Sequence, residues 1–387
     1  MRDQTRCVQH PPATLDGFAS LAVPTYRAST IVYPDGQSFL TRNSRGFDDY
    51  TYGMHGTPTT RVLEAQLTAL HGGARTILVP SGQAAISLVM LTLLQPGDHV
   101  LIPDHAYGPV RSLCRNYLAP RGVEHTIYDP MIGGGIDALI RPQTRLIWVE
   151  SPGSGTMEVQ DVPAIAAAAK ARGVPVGCDN TWATPLLFKP LAHGVDVAVE
   201  ALTKYVGGHS DLLMGSITVA DVALRDRIKL VMRDLGIGVS PDEASLALRG
   251  LETMAVRLAH MGRVSEEFAR RLAGHPAVET VLHPALPSCP GHEFWKRDFA
   301  GSASVFSIVL KPGLEGRMEA ALSALKVFAI GASWGGTRSL IAPADVKVDR
   351  VAVPWPYESG LIRINIGLED PEDLWADLEA MLAVFGG

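Results

Sequence analysis

The chain is poor in cysteine. Only four are found among its 387 residues, at widely separated positions: Cys7, Cys114, Cys178 and Cys289. No Cys-x-x-Cys pair and no zinc-binding spacing occurs, which argues against a fold held by disulfides or by a structural metal. We therefore expect reduced thiols in a cytoplasmic protein, and only a dispersed disulfide between distant cysteines stays open.

An excess of positive charge and long apolar runs are also lacking. The net charge is -6, so the composition does not favour nucleic acid or an anionic membrane as a partner. The longest apolar stretch, residues 85–94, contains Ser87 and Thr92 and falls short of the about 20 residues of a membrane span. It predicts a buried helix. No basic segment followed by an apolar one opens the chain, so we expect no signal peptide.

Motifs that mark several common enzyme classes are missing. No G-x-G-x-x-G follows the first predicted strand, which makes a dehydrogenase a poor fit, and no P-loop occurs. No group of metal-binding residues stands out, and we predict no metal site. The composition is that of a globular protein, 47% apolar and 19% charged. The length allows two or three domains of roughly 100–200 residues each.

The sequence divides into three parts. Residues 1–56 have no clear period and are rich in Pro, Gly, Thr and Tyr, which predicts an extended arm. Residues 57–250 alternate between strand-like and helical patterns, which is typical of a mostly parallel α/β sheet with right-handed crossovers. Residues 251–387 predict a smaller α+β domain, to which a long amphipathic helix at 242–272 leads.

The apolar periods of the middle part predict individual elements. Strands are expected at 76–79, 100–102, 123–128, 146–149, 174–178 and 195–199. Helices are expected at 82–94, 108–118 and 164–172. Because neighbouring strands of such a sheet run parallel, the residues that follow them should meet at one edge.

One lysine stands just after a predicted strand. Lys204 follows the run 195–199 and lies among small and polar residues between Ala201 and Asp211. Open α/β sheets bind ligands at the carboxyl ends of their strands, and the small neighbours leave room for a flat, phosphorylated cofactor. This is the setting of a lysine that holds pyridoxal phosphate (PLP) as a Schiff base. Taken alone, such a lysine is more often an ordinary surface residue.

Residues that suit this cofactor occupy equivalent places along the chain. They are a helix opening, an aromatic ring, a carboxylate and a hydroxyl beside the lysine: Gly82 and Gln83, Tyr107, Asp179, and Thr203. A helix N-terminus holds a phosphate, and an aromatic face fixes the plane of the ring. A carboxylate at the pyridine nitrogen keeps the ring protonated and hence a strong electron sink. Each feature alone has a structural explanation, but their shared placement with Lys204 favours a cofactor site.

Arg363 is a candidate for substrate binding. Residues 361–368 alternate strictly, so the isoleucines share one face of a strand and Arg363 lies on the other. An arginine held on a rigid strand suits bidentate capture of an α-carboxylate. The alternative is an ion pair at the surface.

Nine segments resemble one enzyme family. They are 52–59 (YGMHGTPT), 104–107 (DHAY), 150–158 (ESPGSGTME), 179–182 (DNTW), 203–205 (TKY), 208–211 (GHSD), 291–299 (GHEFWKRDF), 333–336 (SWGG) and 361–363 (LIR). Together they are similar to the Cys/Met-metabolism PLP enzymes of the aspartate-aminotransferase fold type. The Ser-Pro-Gly-Ser run at 151–154 resembles the bacterial cystathionine β-lyase branch, since γ-lyases and γ-synthases usually carry Asn-Pro there.

The resemblance spans nearly the whole chain and implies fold type I. We therefore expect a mostly parallel seven-stranded sheet domain at 57–250, a smaller C-terminal α+β domain at 251–387, and an extended arm at 1–56 that reaches a neighbouring subunit. Lys204 would anchor the cofactor and carry protons, and Tyr107 would stack on the ring and assist leaving-group chemistry. Asp179 would pair with the pyridinium. The phosphate of the cofactor would be bound by Gly82, Gln83 and Thr203.

The resemblance also implies contacts beyond the cofactor ring. Tyr52 would reach the phosphate of a neighbouring subunit's cofactor, which makes a dimer the catalytic unit and a tetramer the expected assembly. Arg363 and Ser333 would hold the carboxylate of an amino-acid substrate, and Trp334 would line the pocket.

The implied activity is carbon–sulfur β-elimination. L-cystathionine, or another cysteine S-conjugate, would give a thiol (homocysteine), pyruvate and ammonia, as in transsulfuration and methionine biosynthesis. Two alternatives stay open. One is a γ-elimination or γ-replacement enzyme of the same fold, acting on homoserine- or methionine-type substrates. The other is a PLP-binding protein with weakened catalysis.

Two positions depart from the family pattern. Members usually carry Tyr-x-Arg from position 52, with the arginine on the cofactor phosphate, whereas this chain has Met54 followed by His55. A charge-assisted bond contributes about 1.5–3 kcal/mol, so we expect weaker retention of PLP. Met54 marks either a variation in an ordinary lyase or a specialised member. Ala332 replaces a tyrosine of the β-lyases, which should open the pocket on the thiol side.

Overall fold

A computed structural model describes residues 1–9, 20–344, 346 and 350–386. Its strands, in chain order, are β1 Arg75–Val79, β2 His99–Pro103, β3 Glu124–Tyr128, β4 Thr144–Glu150, β5 Val176–Asp179, β6 Val197–Glu200, β7 Gly215–Val219, β8 Val278–Leu282, β9 Val305–Leu310, β10 Ala329–Ile330, β11 Leu340–Ala344 and β12 Leu361–Asn365. Its α-helices are α1 Asp3–Val8, α2 Gly36–Leu40, α3 Pro58–His71, α4 Gly82–Leu93, α5 Gly108–Leu113, α6 Val162–Ala171, α7 Thr184–Leu187, α8 Val222–Asp234, α9 Pro241–Leu272, α10 His292–Asp298, α11 Met318–Ser323 and α12 Pro371–Gly386.

The larger sheet has seven strands in the order β1-β7-β6-β5-β4-β2-β3. All pairs from β6 to β3 are parallel, which confirms the predicted mostly parallel α/β sheet. Strand β7, which the periodicity did not indicate, runs antiparallel to both β1 and β6. It follows β6 after a connection of turns that carries Lys204. Antiparallel neighbours can be joined in this way, without a crossover helix.

Apolar layers cover both faces of this sheet. Leu101 of β2 packs into a layer that includes residues of α3 and α6, whereas its neighbour Val100 packs into a layer with α4 and α8. Successive side chains of a strand point to opposite faces, so a strand buried on both sides needs a continuous apolar run. With both faces covered, the strand ends remain as the place where polar side chains can converge.

Two of the predicted helices have a side-chain cap at the N-terminus, and a third is shorter than predicted. Ser81 accepts a hydrogen bond from the Ala84 N–H at 3.0 Å and begins α4. Asp161 begins α6 in the same way. The helix predicted at 108–118 is α-helical only as far as Leu113, and residues 114–118 form π-helical turns. Pro120 follows and has no N–H with which to continue a regular helix.

The longest helix, α9, joins the two halves of the chain and confirms the helix predicted at 242–272. Two glycines allow it to approach other backbone segments closely. A Cβ atom on Gly250 would lie 2.0 Å from the Val206 carbonyl oxygen, and one on Gly262 would lie 2.1 Å from that of Ser302. The first half of α9 therefore supports the connection after β6, and the second half supports the C-terminal part.

The smaller sheet has the order β10-β11-β12-β9-β8, with β12 in the middle and antiparallel to β9 and β11. Ile362 and Ile364 are fully buried, and Arg363 lies on the opposite, partly exposed face. The strand ends at Asn365, three residues before the end of the alternating run. The predicted α+β character of the C-terminal part is confirmed.

The N-terminal arm contains more structure than an extended segment. Helix α1 contacts α3 and α9 and buries Cys7. Further along, the Gly53 N–H donates to the Ser29 carbonyl at 2.7 Å. Val32 and Leu40 of the arm are 88% and 73% exposed. All four cysteines are free and buried, as expected for reduced thiols. Within the ranges described above, no helix is long and apolar enough to cross a membrane.

Candidate active site

A cavity of about 280 Å³ opens at the carboxyl ends of the parallel strands. Asp179 ends β5, Tyr107 follows β2, and Lys204 follows β6. The C-terminal domain closes the other side with Arg363 and Trp334. The cavity also brings together Gly82, Gln83 and Thr203. Ligands of open α/β sheets bind at this edge, so the fold itself explains the convergence.

The Lys204 amine lies between the two domains. Its Nζ donates a hydrogen bond to Ser333 Oγ at 2.8 Å and lies 5.2 Å from the centroid of the Trp334 ring. Burial, and after it the positive charge of Arg363, lowers the pKa of Lys204 to about 8, against the opposing effect of Asp179. A substantial fraction of the amine is thus neutral near physiological pH, the form that a nucleophile or base requires.

Backbone contacts hold the Lys204 connection in place. The Gly208 N–H donates to the Lys204 carbonyl at 2.7 Å. Arg257 of α9 donates through Nη2 to the carbonyls of Tyr205 and Gly250, both at 2.8 Å. Because α9 is a long, packed helix, it fixes the position of the amine from behind.

Asp179 presents one carboxylate oxygen to the cavity. Its Oδ1 accepts hydrogen bonds from the Thr181 N–H at 3.0 Å and the Thr181 hydroxyl at 2.6 Å. Among the described residues, Oδ2 has no hydrogen-bond partner. Burial raises the pKa of Asp179, while the bonds from Thr181 and the charge of Lys204 lower it. A buried carboxylate with one free oxygen is suited to a protonated ring nitrogen.

The opposite end of the cavity suits a phosphate. The first N–H groups of α4 have no carbonyl partner within the helix, and they face the cavity at Gly82 and Gln83. A Cβ on Gly82 would lie 2.6 Å from the Ala201 Cβ, so glycine is needed for this close approach. The Gln83 Oε1 atom is buried and has no partner among the described residues. The Thr203 hydroxyl already bonds the Met214 carbonyl at 3.2 Å and the Met214 N–H at 3.1 Å.

Glu150 is a cavity residue to which the sequence analysis assigned no role. It ends β4 as Asp179 ends β5, and this equivalent position was the signal that could have found it. Its Oε2 accepts the Tyr107 N–H at 2.7 Å and so orients the tyrosine. Burial, and then the charge of Asp179, raises the pKa of Glu150 well above its usual value. Burial also raises the pKa of the Tyr107 phenol, which keeps it protonated.

Arg363 reaches the cavity from the centre of β12. Its Nη2 donates to the Ala332 carbonyl, next to Ser333. Burial lowers the pKa of its guanidinium, which nevertheless stays charged. An arginine and a lysine with a lowered pKa in one cavity can bind a carboxylate and act on the carbon beside it.

The Tyr52 segment lies outside its own chain's cavity. Tyr52 is 45% exposed, and its ring contacts that of His55 edge-on at 5.9 Å. Met54 packs against Gly238, where a Cβ would lie 2.6 Å from the Met54 Cγ. The structure therefore brings together the other predicted site residues and leaves Tyr52 apart.

The donor set fits pyridoxal phosphate. Gly82 and Gln83 offer unpaired N–H groups to a phosphate, Asp179 offers a buried carboxylate oxygen to a ring nitrogen, and Lys204 offers an amine. The fold and this site define a PLP-dependent enzyme with a lysine at a strand end. The chain belongs to the Cys/Met metabolism PLP-dependent enzyme family, whose profile matches residues 4–383.

Relatives within the family carry several activities. Cystathionine beta-lyase MetC of Escherichia coli (strain K12) is 41% identical, over 92% of both chains. An L-alanine/L-glutamate racemase of Wolbachia pipientis wMel is 38% identical, over 99% of this chain and 97% of its own. A crystal structure of cystathionine gamma synthase from Xanthomonas oryzae pv. oryzae in complex with aminoacrylate and cysteine has a TM-score of 0.90 at 30% identity. It covers 100% of this chain and 99% of its own.

Proposed function

We propose that the protein is a PLP-dependent carbon–sulfur β-lyase acting on L-cystathionine or another cysteine S-conjugate. The observation that carries this proposal is the Lys204 amine with its pKa lowered to about 8, in one cavity with Arg363 and Asp179. The likeness to a cystathionine beta-lyase at 41% identity supports it. We further propose cytoplasmic methionine metabolism as its setting, in line with its free, buried thiols.

The polar residues in and beside the cavity have separate roles in this reaction. Arg363 binds the α-carboxylate of the substrate and thereby places Cα near Lys204. Lys204, as a neutral amine, removes the proton from Cα. Ser333, whose hydroxyl lies 2.8 Å from the Lys204 amine, would bind the same carboxylate together with Arg363. Glu150 holds the Tyr107 backbone, so that the ring faces the substrate.

Pyridoxal phosphate, when bound, supplies an electron sink that stabilises negative charge at Cα. Asp179 would keep that sink effective, because its second carboxylate oxygen is available to hold a protonated ring nitrogen. The bond between Cβ and sulfur then breaks, and the electron pair leaves with sulfur. Lys204 or the protonated Tyr107 phenol delivers a proton to the thiolate. The remaining aminoacrylate takes up one water and gives pyruvate and ammonium.

Product analysis with L-cystathionine and PLP tests this proposal. β-Elimination gives pyruvate and homocysteine, whereas γ-elimination of the same substrate gives oxobutyrate and cysteine. The likeness to a cystathionine gamma synthase makes chemistry at Cγ the alternative to be tested. Chiral analysis after incubation with L-alanine tests the racemisation named for another relative. Lys204→Ala serves as the control and should lose all turnover. Oxobutyrate as the main product, or turnover by Lys204→Ala, would overturn the β-lyase assignment.

We also propose that the catalytic unit is a dimer and that two dimers form a tetramer. Tyr52 lies outside the cavity of its own chain and is exposed, so it is available to a neighbouring subunit. Val32 and Leu40 place large exposed apolar side chains on the same arm, which is typical of a protein–protein contact. In such a dimer Tyr52 would contact the phosphate of the neighbouring subunit's cofactor.

A further inference from the structure

The rim of the cavity is uncharged. Three of its lining residues are exposed to solvent: Tyr107, Leu213 and Ala332. Leu213 is 65% exposed and presents an apolar side chain at the mouth of the cavity. Inside the rim, further apolar side chains complete the wall: Ile86, Met157, Trp182, Val305 and Trp334.

Each charged residue of the cavity already has a role in the proposed reaction. The lining contains four: Lys204, Arg363, Glu150 and Asp179. In the proposed reaction Arg363 binds the one α-carboxylate that every cysteine conjugate has, and Lys204 acts on the neighbouring carbon. Within the described lining, no other cation is left for a second carboxylate at the leaving-group end of the substrate.

Among the described residues, an adjoining chamber does not supply the missing cation. It contains Arg350, which is bound to Glu158 at 2.6 and 3.0 Å and lies 3.3 Å from an Asp104 carboxylate oxygen. Arg111 in the same chamber donates to the Asp104 carbonyl at 2.7 Å. Both arginines therefore serve to hold the loop at 350–353 and the segment that carries Tyr107.

In the proposed dimer, the Tyr52 segment of the neighbouring subunit does not supply this cation either. That segment presents Met54, which is uncharged, and His55. Burial, followed by the positive charges of Arg233, Lys229 and Arg61, lowers the pKa of His55. The cationic form of His55 is therefore disfavoured.

We infer that the enzyme prefers cysteine S-conjugates with an apolar leaving group, alkyl or aryl, over L-cystathionine, and that Leu213 and Ala332 form the wall for that group. This inference rests on the proposed β-lyase function. Burying an alkyl or aryl group against the rim is favourable, whereas a second carboxylate would lose water without gaining a partner. Each conjugate plus one water gives one thiol, one pyruvate and one ammonium, with the electron pair of the C–S bond leaving on sulfur.

A matched substrate series tests the inference with the holoenzyme. The substrates are S-benzyl-L-cysteine, S-pentyl-L-cysteine, S-carboxypropyl-L-cysteine and L-cystathionine, and pyruvate is measured in each case. We expect kcat/KM of the two apolar conjugates to exceed that of the two carboxylated ones by about tenfold or more. Equal values, or a preference for the carboxylated pair, would overturn the inference. Pyruvate from none of the four would overturn β-elimination itself, and with it this preference.

Leu213→Arg places a cation at the rim and should shift the apolar-to-carboxylated ratio towards the carboxylated substrates by about tenfold. Leu230→Arg, at a 54% exposed leucine of α8 away from the cavity, is the matched control and should leave the ratio unchanged. The ratio compares two substrates on one enzyme preparation. An unfolded fraction of a variant therefore lowers both values of kcat/KM equally and leaves their ratio unchanged. A ratio unchanged in Leu213→Arg would show that this wall does not contact the leaving group.

Discussion

At the scale of single residues, the chemistry of the site depends on how the protein lowers the basicity of Lys204. The cause is twofold, because burial removes water from the ammonium and Arg363 repels its charge. The same arginine binds substrate in the proposed function, so one residue would tune the base and position the carbon on which it acts.

The pH dependence of cofactor uptake tests the coupling of these two residues. Only the neutral amine reacts with an aldehyde, so in cofactor-free protein the rate of PLP uptake should rise with pH, with a midpoint near the pKa of about 8. In Arg363→Met the repulsion is lost, the ammonium is favoured, and the midpoint should move to higher pH. Arg363→Lys keeps the charge and is the control. Identical midpoints in all three proteins would contradict the coupling.

Met54 gives a second prediction for a single residue. In Met54→Arg a charge-assisted bond to the cofactor phosphate, contributing about 1.5–3 kcal/mol, should lower the Kd for PLP by roughly tenfold to a hundredfold. Met54→Leu, which adds no charge, should leave the Kd as it is. Equilibrium dialysis of both variants gives the comparison, and an arginine variant with the Kd of the parent protein would refute the role of this position.

At the scale of elements, the position of Lys204 depends on α9. The connection that follows β6 has little regular structure of its own, and α9 holds it through Arg257 and through the close approach at Gly250. Trp334 covers the amine from the other domain. The base is thus held by a helix behind it and by an aromatic ring in front of it.

A methyl group at Gly250 should disturb this support. The added Cβ would lie 2.0 Å from the Val206 carbonyl oxygen, so the helix or the Lys204 connection must move. Overpacking of this kind costs about 1–3 kcal/mol, and we expect a lower Tm together with reduced turnover in Gly250→Ala. Gly274→Ala, where the Cβ meets nothing within 4 Å, is the control. Both are compared at equal protein and PLP concentrations, because cofactor binding changes the Tm. Equal Tm and turnover in the two variants would exclude the supporting role.

Most elements follow from the sequence because strands buried on both faces need continuous apolar runs. Strand β7 escaped prediction because it starts with Gly215 and contains Ser216 and Thr218, whose side chains are buried through the fold rather than through an apolar pattern. The Thr218 hydroxyl finds its partner on Thr76 of β1 at 2.9 Å. The sequence pattern does not predict this hydrogen bond, because it forms only when β1 and β7 are neighbours in the folded sheet.

At the scale of the whole molecule, we propose that a second chain completes the site. The residues around Lys204 come from both halves of one chain, whereas Tyr52 is exposed on the arm. Symmetric dimers place the same surface of each subunit against the other, so both cavities would gain a tyrosine in the same way.

Hybrid dimers provide the test. Lys204→Ala and Tyr52→Ala variants are each expected to be nearly inactive. When the two are co-expressed in equal amounts, half of the dimers formed by random pairing are hybrids, and each hybrid has one intact site. Pyruvate formation should then recover to about a quarter of the activity of the unmodified protein. If Tyr52 acts in its own chain, every site of every dimer lacks one residue, and activity stays at the level of the separate variants.

The amino-acid sequence alone predicts the alternation of strands and helices, the strand-end positions of Asp179, Tyr107 and Lys204, and the face on which Arg363 lies. These are local properties, since they depend on periodicities of two and 3.6 residues and on helix caps. The family resemblance added the roles of these residues.

Which groups meet, and how they change one another's charge, depends on the packing of the folded chain. The buried carboxyl of Glu150 became part of the site because β4 and β5 are neighbours in the sheet. The pKa of Lys204 falls because packing buries the amine and because another domain brings Arg363 close to it. The uncharged rim at Leu213 and Ala332 joins residues far apart in the chain. Distances of this kind depend on packing between remote segments, and the free energy of a charge depends on all the groups that surround it.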